Sequence, residues 1–304
     1  TFLSILLYRK EYLSQMIYFF GFSLGVLVIL YFFYRAHLNT RDIALNEIRI
    51  DPFEEGSHFA THRLSVLHIS DMHLEHISIS PQRLYRMLSD KKIDLIALTG
   101  DYMDRPASIP KLAPYLQVLR KLRPKYGMYA VLGNHDYVLK APHLVQLIKL
   151  FHAYGCRILQ NEHVSLNVRG ITVNIIGIDD YSTDKSDLAR SYEGIQEGFN
   201  LVLTHDPNIV LEMGGYPFDY MLAGHFHGGQ IHWPKPYHLA AMGRLVKMDM
   251  VKGLQRYGNK LFYISEGLGQ TGINIRIGSR PEITLHHLAL PNVKQEYGKT
   301  TQAV

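Results

Sequence analysis

The chain has 304 residues, 47% hydrophobic and 19% charged, which excludes intrinsic disorder and leaves ample core for one large domain or two small ones. Its single cysteine, Cys156, rules out an intrachain disulfide, a dithiol redox motif and a multi-thiolate zinc site. The formal charge of +5, from 32 Lys and Arg against 27 Asp and Glu, is too small and dispersed to point to nucleic acid, and none is expected as a partner.

Residues 12–34 contain no Asp, Glu, Lys, Arg or His, and 16–33 are dominated by Ile, Leu, Val and Phe. A membrane-spanning helix needs about 20 apolar residues at ~1.5 Å each, and this run meets that length. Tyr12, Tyr18, Tyr31 and Tyr34 lie toward its two ends, where aromatic rings favour the headgroup layer. A cleaved signal peptide would carry ~7–15 apolar residues and a small-x-small site. Here the run is longer and Arg35-Ala36-His37 follows it. Residues 1–40 are therefore expected to be an uncleaved anchor, crossing a membrane once at about 12–34. Gly21 and Gly25 are spaced to let a second helix approach, which would give a homodimer through the anchor. Arg9 and Lys10 flank one end of the run, Arg35 and Arg41 the other, so charge does not orient the span. The cytoplasmic face is taken as the expectation for the rest of the chain.

Residues 41–62, with Pro52 and Gly56, read as a polar linker. Beyond it, short apolar runs alternate with helix-like stretches at 82–91, 110–122 and 141–154. Each run ends in a polar residue of one kind. Residues 64–70 lead into Asp71-Met72-His73, and 94–99 into Gly100-Asp101. Residues 128–132 lead into Gly133-Asn134-His135-Asp136. Residues 199–204 end at His205, and 218–223 at Gly224-His225-Phe226-His227. Strands alternating with helices imply an α/β domain, spanning 63–290, whose binding site lies beyond the carboxyl ends of the strands. An Asp, Asn or His follows every one of these five strands, and together they describe a site.

Asp71, His73, Asp101, Asn134, His205, His225 and His227 are imidazole and oxygen donors suited to divalent first-row metals. Two such ions bring four positive charges; Asp71, Asp101 and a bridging hydroxide remove three. The remaining positive charge suits a phosphoryl group whose negative charge builds during attack. Most of the 17 histidines lie elsewhere and are assigned no role; His68, within the first strand, is expected to be structural.

These blocks, in this order, resemble the calcineurin-like metallophosphoesterases. The resemblance extends through Asn161-Glu162, Gly177-Ile178-Asp179-Asp180, Gly228-Gly229-Gln230, Ser265-Glu266-Gly267-Leu268-Gly269 and Arg280-Pro281-Glu282-Ile283-Thr284. Those segments look like a bacterial, membrane-associated branch containing phosphodiesterases of the YkuE/YaeI type and a UDP-2,3-diacylglucosamine pyrophosphatase of lipid A synthesis. The resemblance implies a four-layer α-β-β-α sandwich behind the N-terminal transmembrane helix. It also implies two divalent ions, Mn²⁺ first and Fe, Zn, Co or Ni as alternatives. One ion would take Asp71, His73, Asp101 and His227; the other Asp101, Asn134, His205 and His225. His135 would stand near the leaving oxygen with Asp104 orienting it, a role in which a carboxylate raises the imidazole's pKa. Asp136 is a rival partner for His135, or an exposed loop acid. Arg105 is either a phosphate contact or a surface arginine. The chain departs from the family pattern at Phe226, where that branch often has Thr. A better-known branch acting on UDP-diacylglucosamine has Arg where His135 stands, so this chain falls outside it.

The metal core implies hydrolysis of a phosphodiester or pyrophosphate and leaves the substrate to the loops. Residues 233–256 mix Lys235, Arg244, Lys247, Lys252 and Arg256 with Leu239, Met242, Leu245, Met248 and Met250. That mixture suits a membrane surface or an acyl-bearing anion such as a nucleotide-lipid; the competing reading packs its Met and Leu inward. Tyr102, Tyr137 and Tyr181 are positioned to stack on a base or sugar, or simply to pack. The alternatives are a general phosphodiesterase on soluble or cell-wall phosphoesters and a non-catalytic scaffold, which hydrolysis of a generic diester would separate. The tail from 291 to 304 is polar.

Overall fold

The structure, a computed structural model, describes residues 2–51 and 62–291. It opens with helix α1 (Phe2–Asn39), longer at both ends than the uncharged run. Within it Tyr8–Asn39 is long and apolar enough to cross a membrane by length and composition, and its most apolar stretch is wholly unburied. An added Cβ at Gly21 or Gly25 would meet nothing within 4 Å.

The elements that follow are β1 (Ala44–Ile50), β2 (His62–Ile69), α2 (Pro81–Leu88), β3 (Leu95–Thr99), α3 (Ile109–Lys121), β4 (Met128–Val131), α4 (Ala141–Ala153) and β5 (Cys156–Ile158). Then come β6 (Glu162–Val168), β7 (Ile171–Gly177), α5 (Leu188–Ser191), β8 (Phe199–Leu203), β9 (Tyr220–Ala223), α6 (Arg244–Lys247), β10 (Gly253–Tyr257), β11 (Lys260–Ile264) and β12 (Glu282–Leu290). They form two six-stranded sheets, ordered β1-β12-β2-β3-β4-β5 and β10-β11-β9-β8-β7-β6. Strands β2 to β5 are mutually parallel in the first sheet, and β7, β8, β9 and β11 in the second.

Side-chain alternation along the strands builds three cores. On β2, Leu64 and Val66 face the space between the sheets, while Leu67 and Ile69 face the helices. On β8, Leu201 and Leu203 face between the sheets and Val202 faces outward. Helices α2, α3 and α4 bury Leu84, Leu88, Leu112, Leu116, Leu147 and Phe151 against the first sheet. Burying such a side chain fully stabilises the fold by ~1.5–3 kcal/mol. The outer face of the second sheet is covered differently. There α5, α6 and the 3₁₀ turns Pro207–Leu211, Met213–Gly215 and Tyr237–Leu239 supply Ile209, Val210, Met213, Leu239 and Leu245. The four layers are present, with the last made mainly of turns.

Residues 41–62, expected as a linker, are partly built into the first sheet. β1 pairs in parallel with β12, Ala44 opposite Glu282 and Ile50 opposite Leu288. The cause is the alternation in Ala-Leu-Asn-Glu-Ile-Arg-Ile. Ile48 and Ile50 turn to the inter-sheet core and Leu45 to the helix side. Glu47 shields this edge by pairing with Lys91 at 3.0 Å and His287 at 3.6 Å. Pro52 and Gly56 lie outside the described residues, as does the polar tail from 292 onward.

The end of α1 is consequently seated on the domain. Ala36 and Thr40 are buried. The Arg276 N–H donates to the Ala36 carbonyl at 2.9 Å, His37 Nδ1 to the Asn274 carbonyl at 3.0 Å, and Asn39 Nδ2 to the Arg276 carbonyl at 3.0 Å. Thr40 Oγ1 lies 2.9 Å from Ser78 Oγ, and Arg280 pairs with Asp42 at 2.7 Å. Five residues between Ala36 and Asp42, spanning the last turn of α1 and the residues just after it, make this a clasp.

Candidate metal centre

The parallel strands deliver Asp71, Asp101, Asn134, His205 and His225 to one edge of the sandwich, and the chain turns sharply at each tip. Asp71, His73, Asp101, His225 and His227 all have left-handed backbones, with φ of 50°, 36°, 56°, 76° and 52°. Such residues cost ~1–3 kcal/mol each and persist only where their surroundings fix them. Here the loops fix one another. Asp71 N–H donates to the Gly100 carbonyl at 3.0 Å, His73 N–H to the Asp101 carbonyl at 3.1 Å, and His225 N–H to Asp71 Oδ1 at 3.1 Å. Gly100, at φ 87°, has no room for a side chain: a Cβ would lie 2.6 Å from Gly133 N and 2.8 Å from His205 Nδ1.

All seven sequence-predicted donors come together. His73 Nε2 lies 3.1 Å from His227 Nε2 and 3.5 Å from Asp101 Oδ2, and His227 Nε2 lies 3.4 Å from Asp71 Oδ1. On the other side, His205 Nε2 lies 3.1 Å from both Asp101 Oδ2 and Asn134 Oδ1, and 3.2 Å from His225 Nδ1. Asp101 Oδ2 is common to both groups.

This donor set fits cations better than it fits itself. His205 Nδ1 donates to the Thr99 carbonyl at 2.7 Å, which aims Nε2 at two oxygens, and against its burial the adjacent Asp101 raises the ring's pKa well above the usual imidazole range. Burial, with His205 nearby, pushes His225 down to about 3, leaving it a neutral donor. Burial also drives His227 well below its usual range. Asp101 ionises against its burial because His205 and His73 hold it well below the usual carboxylate range. Converging lone pairs and a buried carboxylate are what divalent ions coordinate.

His135 stands beside this group, partly exposed. Its Nδ1 donates to Asp104 Oδ1 at 2.8 Å, which raises the imidazole's pKa, while Nε2 lies 4.0 Å from Asp101 Oδ2. Asp104, held low chiefly by that hydrogen bond, also lies 3.5 Å from His73 Nδ1. Asp136 is neither a rival partner nor an exposed acid. It is fully buried, and its carboxylate accepts from the N–H groups of Asp101, Tyr102 and Gly133, each at 2.9 Å. It thereby welds two ligand loops together. Arg105 is exposed, with its N–H held by Glu75 Oε1 at 3.1 Å.

Two residues that the sequence did not single out shape the site. Glu75 Oε1 accepts from the N–H groups of both Asp104 and Arg105. Arg276, wholly buried, donates to the carbonyls of His227, Glu266, Gly267 and Gly269 at 2.6–3.2 Å. A lone arginine between Ile275 and Ile277 was the available signal.

Beside the donors opens a cavity of about 270 Å³, walled by Phe226, Ile231, Leu239, Met242 and Ile273. Phe226 is thus part of the wall, its ring centroid 5.4 Å from that of His225. A second depression, of about 390 Å³, shares His225 and Met242 and is lined by Tyr181, Asp184, Asp206, Glu212 and Arg244. The 233–256 stretch divides between its two readings. Leu245 is core and Met250 packs on it, Lys252 is held by Glu266 and the Gly278 carbonyl, while Leu239 and Met242 face the cavity. Tyr102 and Tyr137 are structural: Tyr102 hydroxyl donates to the Leu98 and Val131 carbonyls, Tyr137 to Asp179. His68 is buried with Nε2 2.8 Å from Thr99 Oγ1, and burial pushes it down to about 3.

Residues 64–229 match the profile of the calcineurin-like phosphoesterases. The chain is 56% identical to metallophosphoesterase YkoQ of Bacillus subtilis, over 88% of this chain and 98% of that protein. It is 28% identical to metallophosphoesterase YkuE of the same organism, over 75% and 79%. It is also 25% identical to the UDP-2,3-diacylglucosamine pyrophosphatase LpxG of Chlamydia trachomatis, over 74% and 83%.

Proposed function

The chain belongs to the calcineurin-like phosphoesterase family and is a metal-dependent phosphoesterase, and from that premise we propose that it is a membrane-anchored hydrolase of a phosphodiester or pyrophosphate bond in an amphiphile. The observation that carries this reading is the convergence of seven donors from five strand tips around the shared Asp101 carboxylate.

Asp71, His73, Asp101 and His227 would hold one divalent ion, and Asp101, Asn134, His205 and His225 the other. When bound, the ions polarise the phosphoryl oxygens and make water acidic enough to attack. The protein's own part is positional and protolytic. Neutral imidazoles and Asn134 coordinate without cancelling the positive field that draws the phosphoryl group. His135, with Nδ1 tied to Asp104, presents Nε2 to the site and gives its proton to the leaving oxygen. Arg105, at the exposed edge beside Asp104, would be the cation available to a substrate phosphate on that side.

The substrate reading rests on the two depressions that meet at His225 and Met242. Away from the donors one is walled mainly by Phe226, Ile231, Leu239, Met242 and Ile273, while the other sets Tyr181, Asp184, Asp206, Glu212 and Arg244 beside Leu211 and Met242, so a molecule bound across them would be more apolar at one end than at the other. A nucleotide-lipid such as UDP-2,3-diacylglucosamine, which LpxG's name gives as that relative's substrate, has this form. An exposed apolar helix of spanning length supports a bilayer location.

Deleting residues 1–34 removes the apolar run and leaves the docked turn intact. Turnover of bis(p-nitrophenyl) phosphate with added Mn²⁺ is expected to stay within about twofold. Hydrolysis of a bilayer-embedded diacyl nucleotide-sugar is expected to fall on the order of 10²-fold, because anchoring concentrates enzyme and amphiphile in one thin layer. Equal effects on the two substrates would remove the support for an amphiphile and favour a soluble phosphoester.

A further inference from the structure

Outside α1, the exposed large apolar side chains include Trp233, Tyr237 and Ile273, at 73%, 69% and 64% exposure. Residues 233–237 read Trp-Pro-Lys-Pro-Tyr, two aromatic rings flanking an exposed Lys235. The two prolines take away amide donors, and Pro236 is buried, so the loop presents rings and one charge from a fixed base.

This loop is wired to the end of α1. The His232 N–H donates to the Ile277 carbonyl at 2.6 Å and the Ile277 N–H to the Gln230 carbonyl at 2.9 Å. Gln230 Nε2 reaches the Thr271 and Ile273 carbonyls at 2.9 and 3.0 Å. The next residues along that strap, Asn274 and Arg276, are those that clasp His37, Asn39 and Ala36. Ile231, Thr271 and Ile273 also line the apolar cavity. Helix end, exposed rim and cavity mouth therefore form one hydrogen-bonded unit.

The uncharged run ends at Tyr34, and Ala36 is already docked. At ~1.5 Å per residue the clasp begins about 3 Å beyond the run. A bilayer spanned by that run must place its headgroup layer against the clasp, with no slack to lift the domain away.

We propose that Trp233, Lys235, Tyr237 and Ile273 form a membrane-contact surface, seated in the headgroup layer of the bilayer that α1 spans, so that the cavity mouth opens at the lipid interface. This rests on the reading of α1 as a membrane span. Aromatic rings prefer that layer, and a lysine there faces anionic phosphates. An amphiphile would then reach the donors sideways, with its apolar part passing Ile273 and Leu239 without crossing water.

Trp233 is the only tryptophan in the chain, so its emission reports this surface directly. The full-length protein is reconstituted into vesicles of phosphatidylcholine and phosphatidylglycerol, with or without phospholipids brominated high on the acyl chain. The expected result is a blue-shifted emission that falls about twofold in the brominated vesicles. Lys235→Glu is expected to lessen the quenching in anionic vesicles more than in neutral ones. Protein that floats with the vesicles yet shows water-exposed, unquenched emission overturns the contact surface and leaves the span standing. Protein that does not float overturns both.

Discussion

Asp101→Ala is expected to reduce bound metal to trace levels and turnover to background. Asp101 Oδ2 lies 3.5 Å from His73 Nε2 and 3.1 Å from His205 Nε2, so one carboxylate oxygen faces both donor groups. No other donor of the seven does so at those distances on both sides. Its removal deletes the charge that joins two cations otherwise held apart only by their repulsion. The loss cannot be made up by Asp71, which is engaged by the His225 N–H and lies on the side of His73 and His227. Elemental analysis beside a hydrolysis assay checks this. Two ions retained per chain would refute Asp101 as the bridge.

His135→Ala should separate chemistry from binding. The variant is expected to keep its metal and lose ~10²–10⁴ in turnover, the usual range for a positioned proton donor. Metal is retained because the interaction of this residue with Asp101 runs through its backbone: the His135 N–H donates to Asp101 Oδ1 at 2.9 Å, and alanine preserves that bond. The deficit should narrow for nitrophenolate leaving groups, which depart with little need of a proton, and widen for alkoxides. A deficit of equal size for both would contradict the acid role. Asp104→Asn, which keeps a hydrogen-bond acceptor but removes the charge, should show a smaller loss in the same direction.

The donor tips were legible because each is announced twice, once by a buried β-rich run and once by the polar residue that ends it. Leu64 to Asp71 and Tyr220 to His225 are examples. The α-layer on the first sheet was equally legible, since α2, α3 and α4 repeat apolar residues at helical spacing. The opposite layer was not, because 3₁₀ turns have no comparable period. β1 escaped notice because Asn46, Glu47 and Arg49 dilute its alternation, and only pairing with β12 makes it a strand. Asp136 was misread for a related reason. Its neighbours in sequence suggest a loop acid, whereas its role is to accept three amides from loops distant in sequence. Arg276 and Glu75 act through backbone carbonyls and amides, which leave no trace in the identities of their partners. The clasp on α1 follows the same pattern and turns an apparent tether into a fixed joint.

The account stands on two metal ions held by seven residues and used for phosphoester hydrolysis. Full-length protein stripped with a chelator and titrated with Mn²⁺, with bound metal and bis(p-nitrophenyl) phosphate turnover followed together, tests this most directly. Activity is predicted to be absent after stripping and to rise to a plateau as occupancy approaches about two ions per chain. Full turnover in the stripped protein, or a plateau at one ion, would contradict it.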